Sequence, residues 1–165
     1  MTLENEIGIS SFRNERQRAS ISILYTYGFL SNGYENYFKK FGLTTQQYNA
    51  LRILREQHPK PVSTSFLREK MLDKMSDASR LVSRLAGKGF VVVNQNPVDK
   101  RLVNIVISDE AQKLLAEIDT HMHELDAMLQ DLSEEEALQL VDLLHKVRLS
   151  VQNRVDQPVS SSEDI

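Results

Sequence analysis

Cysteine is absent from the 165 residues, so neither a disulfide framework nor thiol chemistry is open to this chain. Long apolar runs are absent as well: no stretch approaches the ~18 residues that a membrane span requires, and a soluble protein without membrane contact is expected. The opening residues, MTLENEIGISSFRNER, lack the basic-then-apolar layout of a secretory signal, which makes the cytoplasm the expected location. Signatures of catalysis are missing too. There is no His-Glu-x-x-His, no phosphate-cradling glycine loop and no nucleophile motif, so neither enzyme activity nor a cofactor is expected.

An overall excess of positive charge is the last absence, since the net charge is −3. That average conceals segregation. Residues 1–59 carry a net +2, residues 60–101 a net +5, and residues 102–165 a net −10. A local basic face matters more for steering phosphate than the total does, because distant acids are screened over roughly 8 Å in physiological salt.

What is present reads as one core's worth of chain, residues 1–155, followed by a Pro/Ser/acid-rich tail, 156–165, expected to be disordered. Ile23, Tyr27, Leu30, Tyr34, Tyr37 and Phe41 recur in steps of three and four, one face of a long first helix with a break expected near Gly28 or Gly33. In GLTTQQY, Gly42 stops that helix and Thr44 with Gln47 forms a capping box for a second, running to about Gln57. HPKPVS is a breaker, and Ser63 caps a short helix through Met71. Asp73 is the expected cap of the next helix, through Lys88, whose inner face is Ala78, Leu81, Val82 and Leu85. Its outer side then shows Ser76, Asp77, Ser79, Arg80, Ser83 and Arg84.

FVVVNQ and RLVNIVI are β-branched runs around an Asn-Pro turn, hence a hairpin with Asp99, Lys100 and Arg101 at its tip. Two helices follow, separated by DLSEEE, in which Ser133 and Glu136 make a capping box. Leu115, Ile118, Met122, Leu125, Leu129 and Leu132 form one heptad-like stripe, and Ala137, Leu140, Leu144, Val147 and Val151 another. Long striped helices at both ends of a short chain offer more apolar surface than a small core absorbs, so a homodimer is expected.

Helix, helix, short helix, amphipathic helix and hairpin, with basic charge gathered from Lys60 to Arg101, is the order of a winged helix-turn-helix. The fold class is therefore mainly α with a small β-hairpin wing: a lobe at about 43–108, with dimerisation helices at about 10–41 and 109–153. A helix with Ser and Arg outward fits the major groove, and a β-ribbon beside it places a basic tip on the minor groove. Double-stranded DNA is the expected partner. The same fold without DNA contact would be a module that binds a protein partner.

The residues also carry a family likeness. SRLVSRLAGKGFVV followed by NPVDKRLVNIVIS, with GLTTQQYNAL upstream, resembles the multiple-antibiotic-resistance regulator (MarR) family, whose recognition helix reads roughly T-R-L-x-x-x-L-x-x-K-G and whose wing reads D-x-R. The resemblance implies a dimeric transcriptional regulator, a repressor more often than an activator, with two lobes on a palindromic operator and a small-molecule effector between lobe and dimer interface. It matches Ser79 and Arg80 to the recognition Thr-Arg, and Arg101 to the arginine that enters the minor groove. Asp99 would orient that arginine or pair with a lobe cation such as Arg84. The chain departs from the pattern at Asn94, where an arginine is common, at Ile107-Ser108 in place of Leu-Thr, and at Ala111 in place of glycine. Asp77 either accepts a donor such as cytosine N4 or caps the helix start.

Tyr25, Tyr27, Phe29, Tyr34 and Tyr37 offer rings and hydroxyls for a small aromatic or phenolic effector, although such residues also serve as core or dimer interface. His121 and His123 are two apart on a helix and do not share a face, so even with His145 and Glu124 no metal site is expected.

Overall fold

The computed structural model describes residues 2–155, so the tail expected to be disordered lies outside the described residues. The chain divides into two units, one through Met128 and one from Leu129 onward.

The first unit opens with a short helix, α1 (Leu3–Ile7), which the sequence patterning did not suggest. Helix α2 (Glu15–Lys39) follows and runs unbroken through Gly28 and Gly33. A glycine inside a helix costs only ~1 kcal/mol against alanine, which a 25-residue helix can absorb. Asn14 fixes the start of α2 by accepting from the Gln17 N–H at 2.9 Å. Gly42, at φ +69°, fixes the end: its N–H donates to the Lys39 carbonyl and that of Leu43 to the Phe38 carbonyl, the Schellman pairing that only a left-handed residue permits at low cost.

Helix α3 (Thr45–Gln57) begins on the expected capping box, with Thr44 Oγ1 accepting from the Gln47 N–H and Gln47 Oε1 from the Thr44 N–H, both at 3.1 Å. Ser63 caps α4 (Thr64–Lys70) through the Phe66 N–H at 3.1 Å. Between them, Val62 pairs with Ile105 in both directions, so the proline-flanked segment also acts as a one-residue rung against the hairpin. Helix α5 (Ala78–Gly87) ends at Gly89, φ +74°, with the same Schellman pairing.

Strands β1 (Val91–Gln95) and β2 (Val103–Ile107) form the antiparallel hairpin, with Val91 opposite Ile107 and Asn94 opposite Asn104. Ser108 then caps α6 (Asp109–Asp119). The long stripe expected from Leu115 to Leu132 is not one helix. It breaks at Thr120, whose Oγ1 donates to the Glu117 carbonyl at 2.7 Å, and resumes as the one-turn α7 (His123–Asp126) and a 3-10 turn at Ala127–Leu129. The three-four spacing survives the break because Leu115, Ile118 and Leu125 reach the same core.

That core joins the C-terminal end of α2 to α3, α4, α5, the hairpin and α6, with Phe38, Leu51, Leu54, Leu67, Leu85, Ile105 and Leu115 almost fully buried. Phe38 stacks on Tyr48 with ring centroids 4.0 Å apart. Of α2, only Tyr37 and Phe38 are buried, while Leu24, Tyr27 and Phe29 lie open.

The second unit is a single long helix, α8 (Glu134–Val155), started by the expected Ser133–Glu136 capping box. The Ser133 N–H and hydroxyl beside Glu136 hold its carboxyl below the usual carboxylate range. None of the stripe residues Ala137, Leu140, Leu144, Val147 and Val151 is buried.

Candidate nucleic-acid interface

Helix α5 owes its position to a split between its faces. Ala78, Leu81, Val82 and Leu85 are buried, whereas Ser79, Arg80, Ser83 and Arg84 are exposed on the opposite side. Its start differs from the expected one. The cap is Asp77, whose Oδ1 accepts from the Arg80 N–H at 3.0 Å, with Arg80 Nε 3.7 Å from Oδ2. Asp77 therefore caps the helix, the second of its two sequence readings. Asp73 is instead tied into the preceding turn, accepting from the Met75 N–H at 2.9 Å and from Gln46 Nε2 at 2.8 Å. The buried Asn49 accepts from the Leu72 N–H and holds the same turn from below.

Starting the helix at Ala78 also moves Ser76. Expected on the outer face, it is instead only 7% exposed, and its Oγ has no hydrogen-bond partner. A buried hydroxyl in that condition costs about 1–3 kcal/mol. Lys88, at the far end of α5, donates to the Gly42 carbonyl at 2.6 Å and to Gln47 Oε1 at 3.3 Å, fastening α5 to the start of α3.

The wing tip is built by side chains that replace missing backbone partners. Asn96 Oδ1 accepts from the Val98 and Asp99 N–H groups at 2.9 and 3.0 Å, and Gln95 Nε2 donates to the Lys100 carbonyl at 2.9 Å. Asp99 Oδ1 accepts from the Arg101 backbone N–H at 3.0 Å. Asp99 thus holds Arg101 by its main chain, and ion pairs of Asp99 with Arg84 or with the Arg101 guanidinium are not formed among the described residues. Asp99, Lys100 and Arg101 are all exposed.

Two cavities flank α5. A groove of about 800 Å³ runs between α2, the start of α3 and α5, and Tyr27, Tyr34, Gln46, Asp73, Arg80 and Arg84 are among its walls. Of the five aromatic residues expected at a pocket, Tyr27 and Tyr34 are there. Tyr25 and Phe29 are not; they pack edge-to-face on each other at 5.0 Å. Tyr37 is a core residue, its hydroxyl directed at the Ile118 carbonyl at 3.4 Å, and burial pushes its pKa up. The second cavity, about 560 Å³, lies between α4, the turn before α5 and the start of β2, with Arg68, Ser76, Ser79 and Arg101 on its walls. Sequence patterning passed over Arg68, whose only signal was its place in the basic stretch.

Among the described residues no group of three or more His, Asp and Glu could hold a metal ion, and no helix is long and apolar enough to cross a membrane.

An amphipathic helix presenting Ser and Arg, preceded by two short-linked helices and followed by a two-stranded ribbon, is a winged helix-turn-helix. The MarR family model matches residues 43–103 of this chain. The HTH-type transcriptional regulator MhqR of Bacillus subtilis (strain 168) is 25% identical over 125 residues, 75% of this chain and 85% of that protein. A MarR transcription factor from Planctomyces limnophilus is 28% identical with a TM-score of 0.63, over 82% of this chain and 98% of that one. A mutant MarR from E. coli, complexed with operator DNA, has the same fold at 21% identity and a TM-score of 0.73, over 84% of this chain and 99% of that one. The match to the MarR family model falls on the winged lobe, and over most of its length the chain is similar to transcriptional regulators of that type.

Proposed function

We propose that this regulator is a cytoplasmic homodimer that represses transcription by binding a palindromic operator, and that a small aromatic or phenolic molecule releases it. The observation that carries the DNA reading is the exposed face of Ser79, Arg80, Ser83 and Arg84 on α5, beside a wing whose tip bears Lys100 and Arg101. Each lobe, about 43–108, places α5 in a major groove and the wing at the flanking minor groove, with half-sites about one helical turn apart. The exposed apolar surfaces of α2 and α8 support the dimer. The groove beneath Arg80 and Arg84 supports the effector, because a molecule seated between Tyr27 and Tyr34 and those arginines bears directly on the DNA-facing side chains. Release then requires only that the effector bind the non-fitting dimer better than the fitting one.

The test is selection of random-sequence duplexes by the purified protein at two salt concentrations. A palindrome is expected to enrich, with affinity falling steeply with salt as counterions are released. Failure to enrich, together with salt-insensitive binding to a protein partner, would assign the lobe to protein instead.

Arg101→Glu tests the wing. It removes a cation from the minor groove and brings a carboxylate to phosphate, so affinity for every duplex should fall by ~1–3 kcal/mol, roughly 5- to 150-fold, with base preference retained. Fluorescence anisotropy on selected and unrelated duplexes reads both quantities, and unchanged binding removes the wing from the interface.

A further inference from the structure

The cavity between α4, the turn before α5 and the start of β2 has chemistry that base recognition does not use. Its walls include Ser65, Arg68, Ser76, Asp77, Ser79 and Arg101, which bring hydroxyl donors and two guanidiniums around about 560 Å³. Arg68 and Arg101 form no ion pair among the described residues. The Asp77 carboxylate shares the space, but it is engaged by the Arg80 N–H at 3.0 Å and lies 3.7 Å from the Arg80 guanidinium, at the positive end of α5. A site so furnished suits a small anion rich in acceptors.

Ser76 is the second, independent sign. Its Oγ is buried and unpartnered, whereas Gln47 and Asn49, the other buried polar side chains among the described residues, both find partners. A buried hydroxyl left idle in the free protein is one that a ligand can satisfy. Ser76 also lines the cavity, and a serine hydroxyl is reoriented by a single side-chain torsion.

We propose that this cavity seats one phosphate of the DNA backbone, with the Arg68 guanidinium on its charge and the Ser76 hydroxyl donating to a non-bridging oxygen. The inference rests on the DNA reading above and adds to it a fixed backbone contact. It sits at the junction of recognition helix and wing: Ser79 reaches it from α5 and Arg101 closes it from the hairpin. A phosphate held there sets the register in which Arg80 enters the major groove and Arg101 continues to the minor groove, while carrying no base information itself.

The experiment compares the full chain with Ser76→Ala and Arg68→Gln, measuring melting temperature and affinity for the selected operator and for an unrelated duplex. Ser76→Ala should melt at the same temperature or higher, since the idle hydroxyl is gone, yet bind both duplexes about tenfold more weakly. Arg68→Gln should reduce the slope of log affinity against log salt by about one. A neutral methylphosphonate, scanned along the operator backbone, should reveal one step per half-site at which wild type weakens and the Ser76→Ala difference vanishes. Unchanged affinity in Ser76→Ala with an unchanged salt slope in Arg68→Gln would overturn the seat and leave the DNA reading standing. Absence of salt-dependent DNA binding by wild type would overturn both. If inorganic phosphate at matched ionic strength raises the wild-type melting temperature, and both variants lose that rise but bind DNA as wild type does, the occupant is free phosphate and the backbone assignment fails.

Discussion

Arg80→Ala is expected to abolish the preference for the selected operator while the protein keeps its fold and its oligomeric state. The Arg80 side chain is 72% exposed and contributes nothing to the core, so the change leaves every buried contact of α5 in place. Its backbone N–H still donates to the Asp77 cap in the variant, and alanine is the better helix former. Stability should therefore move by no more than about 0.5 kcal/mol, within the usual range for a surface substitution. Affinity is another matter. A guanidinium set bidentate on guanine is worth about 1–3 kcal/mol of discrimination, and a homodimer loses the contact in both half-sites, so the ratio of specific to unrelated binding should fall about 100-fold or more. Competition between operator and unrelated duplexes, with circular dichroism as the control for folding, separates the two effects. Retained preference in a folded Arg80→Ala would take base reading away from this residue. A uniform loss on all sequences would make it a phosphate contact.

The lobe was legible in the sequence because its signals are local. The Thr44–Gln47 box, the Gly42 stop, the buried face Ala78-Leu81-Val82-Leu85 and the two β-branched runs each act within a few residues, and each stands in the structure. Misplacement arose where distant partners decide. Asp73 and Asp77 both stand where a cap is plausible, and what separates them is that Gln46 and Asn49 hold residues 72 and 73 in the turn, over separations of 27 and 23 residues. Ser76 falls on the outer face only if the helix starts at Asp73. With the start at Ala78 it becomes buried, and its idle hydroxyl is visible in no pattern. Tyr37 and Tyr34 share the α2 stripe, yet one is buried beside Ile118 while the other borders the groove, a distinction set by where α6 packs. The break at Thr120 leaves no mark in the apolar pattern because core-facing residues keep a helical spacing across it.

Leu140→Glu with Val147→Glu is expected to convert the protein to monomers and to take operator binding with it. From Glu134 to Arg154, helix α8 has no buried residue, and the open residues are not confined to the stripe: Leu138, Val141 and Leu149 are 67%, 57% and 44% exposed. A surface this apolar marks an interface. The corresponding length of α2, from Leu24 to Phe29, is similarly open, so both ends of the chain ask for cover from a second copy. Leu140 and Val147 lie one heptad apart on the expected seam, and a carboxylate at each in both protomers places like charges across a dry contact. Sedimentation should report monomer, and operator affinity should drop by about 10²–10⁴, the advantage that linking two half-site contacts confers. The weak, salt-dependent binding of a single lobe should persist, because nothing on α5 or the wing is altered. A double variant that remains dimeric with wild-type affinity would remove α8 from the interface and leave α2 as the element that joins the protomers.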